Sequence, residues 1–381
     1  MELDPAVACA ALLDQDDVGA TTIAALWRAF GSFGELARAA EQGEDLSVQG
    51  SSATERRIRS VRAAFSDEAL RRAELSVRRW RDSHDALIAL GDDDYPPSLA
   101  ALHDPPALLF VRGRLPAGVM GPPGRSRAVA VVGTRAASPW ALGFAELCAR
   151  DLTMAGVVVV SGLALGIDGA AHRGALDASG SGASPAAEAG TVAVLAGGLD
   201  RPHPPSHAGL ARRIAQRGAL MSEYPPGCEP TRGAFPTRNR IVAGLARAVI
   251  VIEAPFRSGV RHTVATAANE GRDLWVVPQR PDSMAGRAAC RLIRDGAAPL
   301  SSAADIIEAW DGEAASKAPN LALPADPLQR AVLAALQRDG AASVDALAPA
   351  GSSLGAVLAA FTALERSGRI RQGFGGLWHL A

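Results

Sequence analysis

The sequence predicts an α/β protein: a Rossmann-like, doubly wound parallel sheet, preceded by a small helical domain and followed by a winged helix. Three observations lead to this fold class. Short valine-rich apolar runs alternate with helical segments in the middle of the chain, as is typical of a parallel sheet covered on both faces. Near the amino terminus, apolar residues recur at helical spacing. Amphipathic helices and a two-stranded tail close the chain.

The first predicted element is a helical domain over residues 1–80, similar to SAM or helix-hairpin-helix domains. Gly31 and Gly34 interrupt its helical pattern and are expected to end helices. The segment 16–22 has two interpretations: a hairpin turn that offers backbone N–H groups to a phosphate, or a helix start capped by a threonine. The segment contains no lysine or arginine, which favours the second interpretation.

The central Rossmann-like domain is expected over residues 90–310. Its first part, 90–127, is a proline-rich lead-in with one short strand at 108–111. Ser138 followed by Pro139 predicts the start of the first helix, because serine caps a helix and proline fits its first position. The main predicted strands are 128–132, 157–160, 192–195, 248–252 and 274–277.

Three further segments complete the predicted organisation. Residues 179–190 are a low-complexity insertion, expected to be a flexible surface loop. Residues 311–325 form a linker, and 326–381 the winged helix. That module carries nearly balanced charge, so it binds phosphate weakly. Two functions are therefore considered for the winged helix: recognition of duplex DNA and interaction with another protein.

Composition excludes several classes of protein. The chain has 381 residues and a net charge of −1, so a nucleic-acid site has to be a local patch. Four cysteines without CxxC spacing indicate neither a disulfide framework nor a zinc site. No apolar run is long enough to span a membrane and no signal peptide is evident, so we expect a cytoplasmic protein without membrane contact.

Loops at the carboxyl ends of the strands are where open α/β sheets bind ligands. After the first main strand come Gly133 and Arg135, which together predict an anion site next to a helix start. After the second come the Ser161–Gly166 loop and Asp168. Its glycines and serine expose N–H groups to a phosphate, while Asp168 is expected to cap the helix. His172 either pairs with Asp168 or packs in the core, and packing is the more common arrangement.

The most specific stretch contains Phe235, Arg238, Asn239 and Arg240. An exposed aromatic ring beside arginines suits single-stranded DNA, because a base stacks on the ring and the guanidinium groups contact the backbone. A core phenylalanine with two solvated arginines is the alternative interpretation.

Known catalytic and cofactor motifs are absent from the sequence. There is no GxxxxGK[ST] motif, and the single lysine, Lys317, lies in the predicted linker, so a P-loop ATPase is excluded. No GxGxxG follows the first main strand, and no GxSxG or HExxH motif supplies a nucleophile or metal. His203 and His207 have ligand spacing, but prolines around them prevent a regular helix. We therefore predict no catalysis, metal or cofactor.

Several blocks, in one order, resemble the DprA/Smf family of DNA-processing proteins. The similarity extends from about Tyr95 to Ile307. The blocks are Val132-Gly-Thr-Arg135-Ala-Ala-Ser138, Ser161-Gly-Leu-Ala-Leu-Gly-Ile-Asp168, Val194-Leu-Ala-Gly-Gly-Leu-Asp200, Ser222-Glu-Tyr-Pro-Pro226, Phe235-Pro-Thr-Arg-Asn-Arg-Ile241 and Glu270-Gly-Arg-Asp273.

The resemblance implies a Rossmann-like domain that binds single-stranded DNA, forms a homodimer and loads the RecA recombinase during natural transformation. It implies DNA contacts from Arg135, the Ser161–Gly166 loop, Phe235, Arg238, Asn239 and Arg240. With Gly133 and Asp168 added, and with Ser161, Gly162 and Gly166 taken from the loop, ten residues are predicted to bind DNA. The sequence departs from the family pattern at His203-Pro204, where a Tyr-Pro is usual. It also departs at Ser258–Thr263 and at Gln279.

Two other functions remain as alternatives. Phosphoribohydrolases with a similar fold use a PGGxGT block to hold phosphate, and that block is absent here. A duplex-binding regulator would act through the winged helix, and its binding would be lost on deletion of the residues after Asp311.

Overall fold

The computed structural model describes residues 3–47, 55–83, 86–122, 124–178, 190–255, 258–311, 326–339, 344, 352–366, 370–372 and 378–380. The chain divides into two compact units, Met1–Gly312 and Glu313–Ala381. The predicted insertion at 179–190, except Gly190, and most of the predicted linker lie outside the described residues.

Among the described residues, five helices precede the first strand. Asp4 caps the first of them, since its carboxylate accepts a hydrogen bond from the N–H of Ala6 at 2.9 Å. Gly31 ends the second helix at a φ of +74°, as predicted, whereas Gly34 lies inside the third. The predicted threonine cap is wrong, because the second helix begins after Gly19 with no side-chain cap. The five are α1 (Pro5–Leu13), α2 (Ala20–Phe30), α3 (Phe33–Gln42), α4 (Glu55–Ala64) and α5 (Asp67–Asp82).

A nine-stranded sheet follows, in the spatial order β1-β2-β6-β5-β4-β3-β7-β8-β9. The pairs β1/β2 and β2/β6 are antiparallel and all others are parallel. The strands are β1 (Ala86–Ala89), β2 (Leu108–Gly113), β3 (Ala128–Val132), β4 (Val158–Ser161), β5 (Thr191–Val194), β6 (Ala219–Ser222), β7 (Ala248–Val251), β8 (Asp273–Val276) and β9 (Ala298–Pro299).

The mixed α/β class and the mostly parallel sheet are confirmed. Each predicted strand corresponds to an observed strand whose first residue differs by at most one position. The prediction of a purely parallel sheet is wrong, because two of the strand pairs are antiparallel. The strand β2 runs antiparallel to both of its neighbours, β1 and β6. The sequence prediction also missed β1, β6 and β9, which have four, four and two residues and no valine-rich run.

Helices cover both faces of the sheet. Alternate residues of β3 enter opposite cores: Val129 and Val131 pack with α7, α8 and α13, and Ala130 packs on the other side with α10 and α11. Ser138 caps α7 through the N–H of Ala141, as predicted. The helices are α6 (Pro97–Ala100), α7 (Pro139–Met154), α8 (Ile167–Ala178), α9 (Ala208–Arg217), α10 (Ala234–Leu245), α11 (Val260–Asn269), α12 (Met284–Arg294) and α13 (Ala303–Asp311).

In the second unit the structure describes two helices and a two-stranded antiparallel sheet. They enclose their own small core, in which Phe361 contacts Trp378 edge to face at 5.1 Å between ring centroids. Across all the described ranges, no helix is both long and apolar enough to span a membrane. The elements of this unit are α14 (Pro327–Asp339), α15 (Leu354–Arg366), β10 (Ile370–Gln372) and β11 (Trp378–Leu380).

Candidate nucleic-acid interface

The candidate site lies where β3 and β7 are neighbours in the sheet. The helix after β3 covers one face of the sheet, and the helix after β7 covers the other. The strand order changes direction here, since β4 to β6 lie on one side of β3 and β7 to β9 lie on the other. In open α/β sheets a change of this kind leaves a crevice outside the carboxyl ends of the two strands. A cavity of about 580 Å³ opens at this point, and we call it the switch crevice.

The loop after β3 is fixed by Glu253, which lies two residues after the end of β7. The N–H of Thr134 donates to the Glu253 main-chain carbonyl at 2.6 Å. The Glu253 carboxylate accepts from the N–H and the hydroxyl of Ser138, at 2.9 and 2.8 Å. A Cβ on Gly133 would lie 2.9 Å from the Glu253 carbonyl oxygen, so glycine is needed for this approach. Arg135 extends from this fixed loop and is exposed.

The loop after β4 is stabilised internally. The hydroxyl of Ser161 is buried and donates to the Val131 carbonyl at 2.6 Å. Asp168 lies in the first turn of α8 and accepts from the N–H of Ala164 at 3.3 Å, so it fixes the preceding loop instead of capping the helix as predicted. Leu163 has a φ of +61°, a conformation that costs a branched residue energy and persists only where its surroundings enforce it.

Gly166 brings this second loop against the first. Its φ is +77°, and a Cβ there would lie 2.3 Å from the Thr134 carbonyl oxygen. Behind the loop, His172 is fully buried with its Nδ1 2.8 Å from the Thr191 hydroxyl, so the packed histidine is the correct interpretation. The Nδ1 of His207 lies 2.9 Å from the Leu163 carbonyl oxygen.

Arg238 forms the floor of the switch crevice, although it was expected to reach out to a DNA backbone. Its guanidinium is buried and donates to the carbonyl of Gly162 at 2.5 Å and to the carbonyl of Val194. Its Nε has no hydrogen-bond partner among the described residues. Burial lowers the pKa of Arg238 to about 10, and the nearby Asp168 carboxyl acts in the opposite direction. Burial also raises the pKa of Asp168, against the effect of Arg238.

Arg240 is buried as well, and it does not line the switch crevice. Its guanidinium lies 2.5 Å from the carboxylate of Glu223 and 3.1 Å from that of Asp104. Helical geometry explains the correction: residues two apart in α10 point in different directions, so both arginines cannot face one ligand. The expectation of two solvent-exposed arginines flanking Asn239 is therefore wrong.

Phe235 occupies the first turn of α10 and is half-buried at the edge of the switch crevice. The guanidinium carbon of Arg135 lies 4.9 Å from the centroid of its ring, a cation–π distance. The ring of His203 contacts Phe235 at 5.7 Å between centroids, with 61° between the planes. The sequence prediction gave His203 no role in the site, because no local pattern shows that its loop comes close to α10.

The remaining charges at the switch crevice are mostly positive. Arg232 also lines it and was missed by the sequence prediction, since it precedes the recognised block. Among the described residues, no carboxylate forms an ion pair with Arg135 or Arg232. Asn239 donates to the Gly259 carbonyl at 3.4 Å, next to the start of α11, where no side chain caps the helix. The arrangement favours an anion.

Six of the ten predicted site residues line the switch crevice and four do not. The four others are Ser161, Gly162, Gly166 and Arg240, which support it from behind or lie apart from it. The six are Gly133, Arg135, Asp168, Phe235, Arg238 and Asn239. Within the part of the chain that the structure describes, no cluster of histidine, cysteine, aspartate or glutamate has the arrangement needed to hold a metal ion.

The fold and this crevice define a doubly wound α/β protein with an arginine-lined crevice between β3 and β7, at the carboxyl ends of its strands. The chain belongs to the family of DNA recombination-mediator protein A, whose sequence model matches residues 86–311. The predicted resemblance to DprA/Smf proteins is thereby confirmed.

Relatives named DprA or Smf come from several bacteria. The chain is 45% identical over 248 residues to a DNA processing protein DprA of Mycobacterium tuberculosis, a match that covers 64% of this chain and 61% of the relative. It is 38% identical over 223 residues to protein Smf of Escherichia coli, covering 58% and 56%. The matches thus span about three fifths of the length of these relatives.

Solved structures show the same fold. The X-ray structure of DNA processing protein A from Streptococcus pneumoniae superimposes with a TM-score of 0.63 at 30% identity, over 81% of this chain and 98% of that one. The protein of the same name from Helicobacter pylori, described with a single-stranded DNA binding mode, gives a TM-score of 0.50 at 29% identity. That match covers 60% of this chain and 97% of the other.

Proposed function

We propose that this chain binds single-stranded DNA in the switch crevice. The observation that carries the proposal is the contact between Arg135 and the half-buried ring of Phe235 at the edge of a cavity with a buried guanidinium at its floor. Base stacking on an aromatic ring together with arginine contacts to phosphate is the usual way to hold a single strand without reading its sequence.

The geometry favours a single strand over a duplex. Stacking on Phe235 requires an unpaired base that leaves its neighbours, which a single strand provides at little cost and a duplex provides only by unpairing. Among the described residues that line the crevice, Arg135 and Arg232 are the exposed cations, and the buried guanidinium of Arg238 adds positive charge at its floor.

The biological role that we propose rests on membership of the family. DNA-processing relatives occur in Bacillus subtilis and Streptococcus pneumoniae, and they support a role in DNA processing here. We extend it to protection of incoming single strands and loading of RecA during transformation or recombination, in the cytoplasm, by a homodimer without catalysis. The domain division into 1–80, 90–310 and 326–381, with a SAM-like first and a winged-helix last domain, belongs to the same proposal.

Fluorescence anisotropy tests the core of the proposal. Labelled oligo-dT and its duplex are titrated with the protein across a salt series, without nucleotide or metal. We expect tighter binding of the single strand, with log K falling linearly against log salt. Arg135→Ala is expected to reduce the magnitude of this slope by about 0.7 per protomer. Arg79→Ala, an exposed arginine on α5 that does not line the crevice, is the matched control and is expected to change nothing.

The same assay separates the two alternative functions. Equal affinity for duplex, lost on removal of the residues after Asp311, would favour a regulator that acts through the second unit. Release of base or ribose phosphate from nucleoside monophosphates would favour a phosphoribohydrolase. The crevice contains no motif that supports the second activity, and the comparisons give it no support.

A further inference from the structure

A second cavity, of about 470 Å³, lies between α1, α5 and β2. It shares no lining residue with the switch crevice. We call it the α1/α5 cavity. Two of its lining residues, Glu223 and Pro225, belong to the Ser222–Pro226 block. The proposed DNA site makes no use of the cavity, so it requires a separate explanation.

Most of the wall of the α1/α5 cavity is apolar and partly aromatic. The rings of Trp80 and Phe110 meet edge to face, with 5.3 Å between their centroids. Leu108 extends this surface along β2, and small side chains such as Ala73 leave the space open. Leu13 is 44% exposed although it lines an apolar cavity. A flat apolar body would therefore remove hydrophobic surface from water here.

One carboxylate in the wall lacks a partner. Glu223 lines the α1/α5 cavity, and its Oε2 accepts from Arg240 at 2.5 Å. Its Oε1 is buried and has no hydrogen-bond partner among the described residues. Burial raises the pKa of Glu223, and Arg240 acts in the opposite direction. Because Oε1 has no hydrogen-bond partner, a second donor beside this carboxylate would be favourable.

We propose that the α1/α5 cavity binds an organic cation: an amidinium, guanidinium or ammonium group carried on a flat apolar body. The cationic group lies beside Glu223, and the body packs against the Trp80 and Phe110 rings. The face of an aromatic ring is electronegative, so stacking of the cationic group on either ring would add to the attraction of Glu223.

The charges in the wall select against other ligands. Asp14 lines the same cavity, so carboxyl groups outnumber the single guanidinium, Arg72. Arg72 is itself shared between Asp14 at 3.5 Å and Glu68 at 3.1 Å. An anion would meet two carboxylates, Glu223 and Asp14, each of which has only a shared arginine as its partner. A neutral apolar ligand would leave Glu223 Oε1 without a donor.

Two probes of the same shape test this proposal: benzamidinium, a cation, and benzamide, which is neutral. Binding of each to the full-length chain is measured by isothermal titration calorimetry and ligand-observed NMR. We expect benzamidinium to bind at least tenfold more tightly than benzamide. Equal binding of the two, or no binding of benzamidinium, would overturn the proposal. This result does not depend on whether the switch crevice binds DNA.

Three variants locate the probe. Glu223→Gln is expected to abolish the preference for benzamidinium. Asp104→Asn is the matched control, since Asp104 contacts the same Arg240 at 3.1 Å but does not line the α1/α5 cavity. It is expected to keep the preference. Ala73→Met fills the cavity without adding or removing a charged group, and it is expected to abolish binding of both probes.

Each variant is first checked for folding by circular dichroism. If Glu223→Gln does not fold, Ala73→Met and the comparison of the two probes decide the question. Undiminished benzamidinium binding to Ala73→Met, or an unchanged preference in folded Glu223→Gln, would place the probe elsewhere and refute the proposal.

Discussion

The guanidinium of Arg238 fills the space that any side chain on Gly162 would need. A Cβ on Gly162 would lie 2.3 Å from one terminal nitrogen of Arg238 and 2.5 Å from its guanidinium carbon. The glycine therefore allows the arginine to lie on the loop after β4 and donate to its carbonyl. Two sequence blocks that are 76 residues apart form one structural unit at the floor of the switch crevice.

Gly162→Ala is expected to destabilise the protein by about 1–3 kcal/mol, because the new methyl group displaces a buried guanidinium that is fixed by two carbonyls. Urea unfolding measures this change. Gly143→Ala is the matched control. Gly143 lies on the exposed side of α7, and a Cβ added there would have no atom within 4 Å. It is expected to be neutral or stabilising by up to about 1 kcal/mol. Equal stability of the two variants would contradict the tight contact.

Phe235→Leu is expected to weaken binding of oligo-dT by about 1–3 kcal/mol, since leucine retains apolar bulk but provides no ring for stacking. Phe235→Tyr is expected to bind like the natural chain. The decisive comparison uses an abasic oligonucleotide, in which the backbone is present and no base can stack. There the natural chain and Phe235→Leu should bind equally. A loss of the same size on the abasic strand would mean that Phe235 acts only through local structure.

His172 is expected to make the stability of the protein depend on pH. Burial lowers its pKa from 6.5 to about 3 in the folded state. Because the unfolded chain then binds the proton more readily, the stabilisation is complete above pH 6.5 and is lost as the pH falls towards 3. Between pH 8 and 5.5 this loss amounts to about 1.4 kcal/mol.

The check is the difference in urea-unfolding free energy between pH 8 and pH 5.5 for the natural chain and for His172→Gln. Glutamine retains a partner for the Thr191 hydroxyl, 2.8 Å from the histidine Nδ1, but does not titrate. The variant should lose about 1.4 kcal/mol less than the natural chain over this interval. Identical pH dependences would show that folding does not lower the pKa of His172.

Arg240→Leu is expected to destabilise the protein by about 3 kcal/mol, because it leaves the carboxylate of Glu223 buried without its cation. The double variant Arg240→Leu, Glu223→Gln removes the charge as well and is expected to recover most of this loss. A thermodynamic cycle of the two single variants and the double variant, measured by urea unfolding, gives the coupling. Additive losses would argue against a buried ion pair.

Much of the sheet was predictable because its central strands are buried on both faces. Such strands are continuous apolar runs, so β3 and β7 are evident from sequence. The edge strands carry no such signal. Ala86–Ala89 and Ala298–Pro299 are short, and they become strands only because a neighbour supplies hydrogen-bond partners.

The site was predictable in its position but not in the role of each residue. The carboxyl-edge rule brought Arg135 and Phe235 to one place, and the structure shows them in contact. The sequence could not show that Arg238 and Arg240 are buried, because both belong to an arginine-rich block that is consistent with an exposed face. Their partners, Gly162 and Glu223, lie 76 and 17 residues away in the sequence.

The sequence by itself determined the fold class, the family and the loops that surround the switch crevice, because hydrophobic periodicity and ordered motifs are local properties of the chain. Only the tertiary structure decided which polar side chains are exposed. Burial of a charge depends on partners brought together by folding, and here Arg238 and Arg240 are compensated by groups distant in sequence while Arg135 is free to meet a ligand.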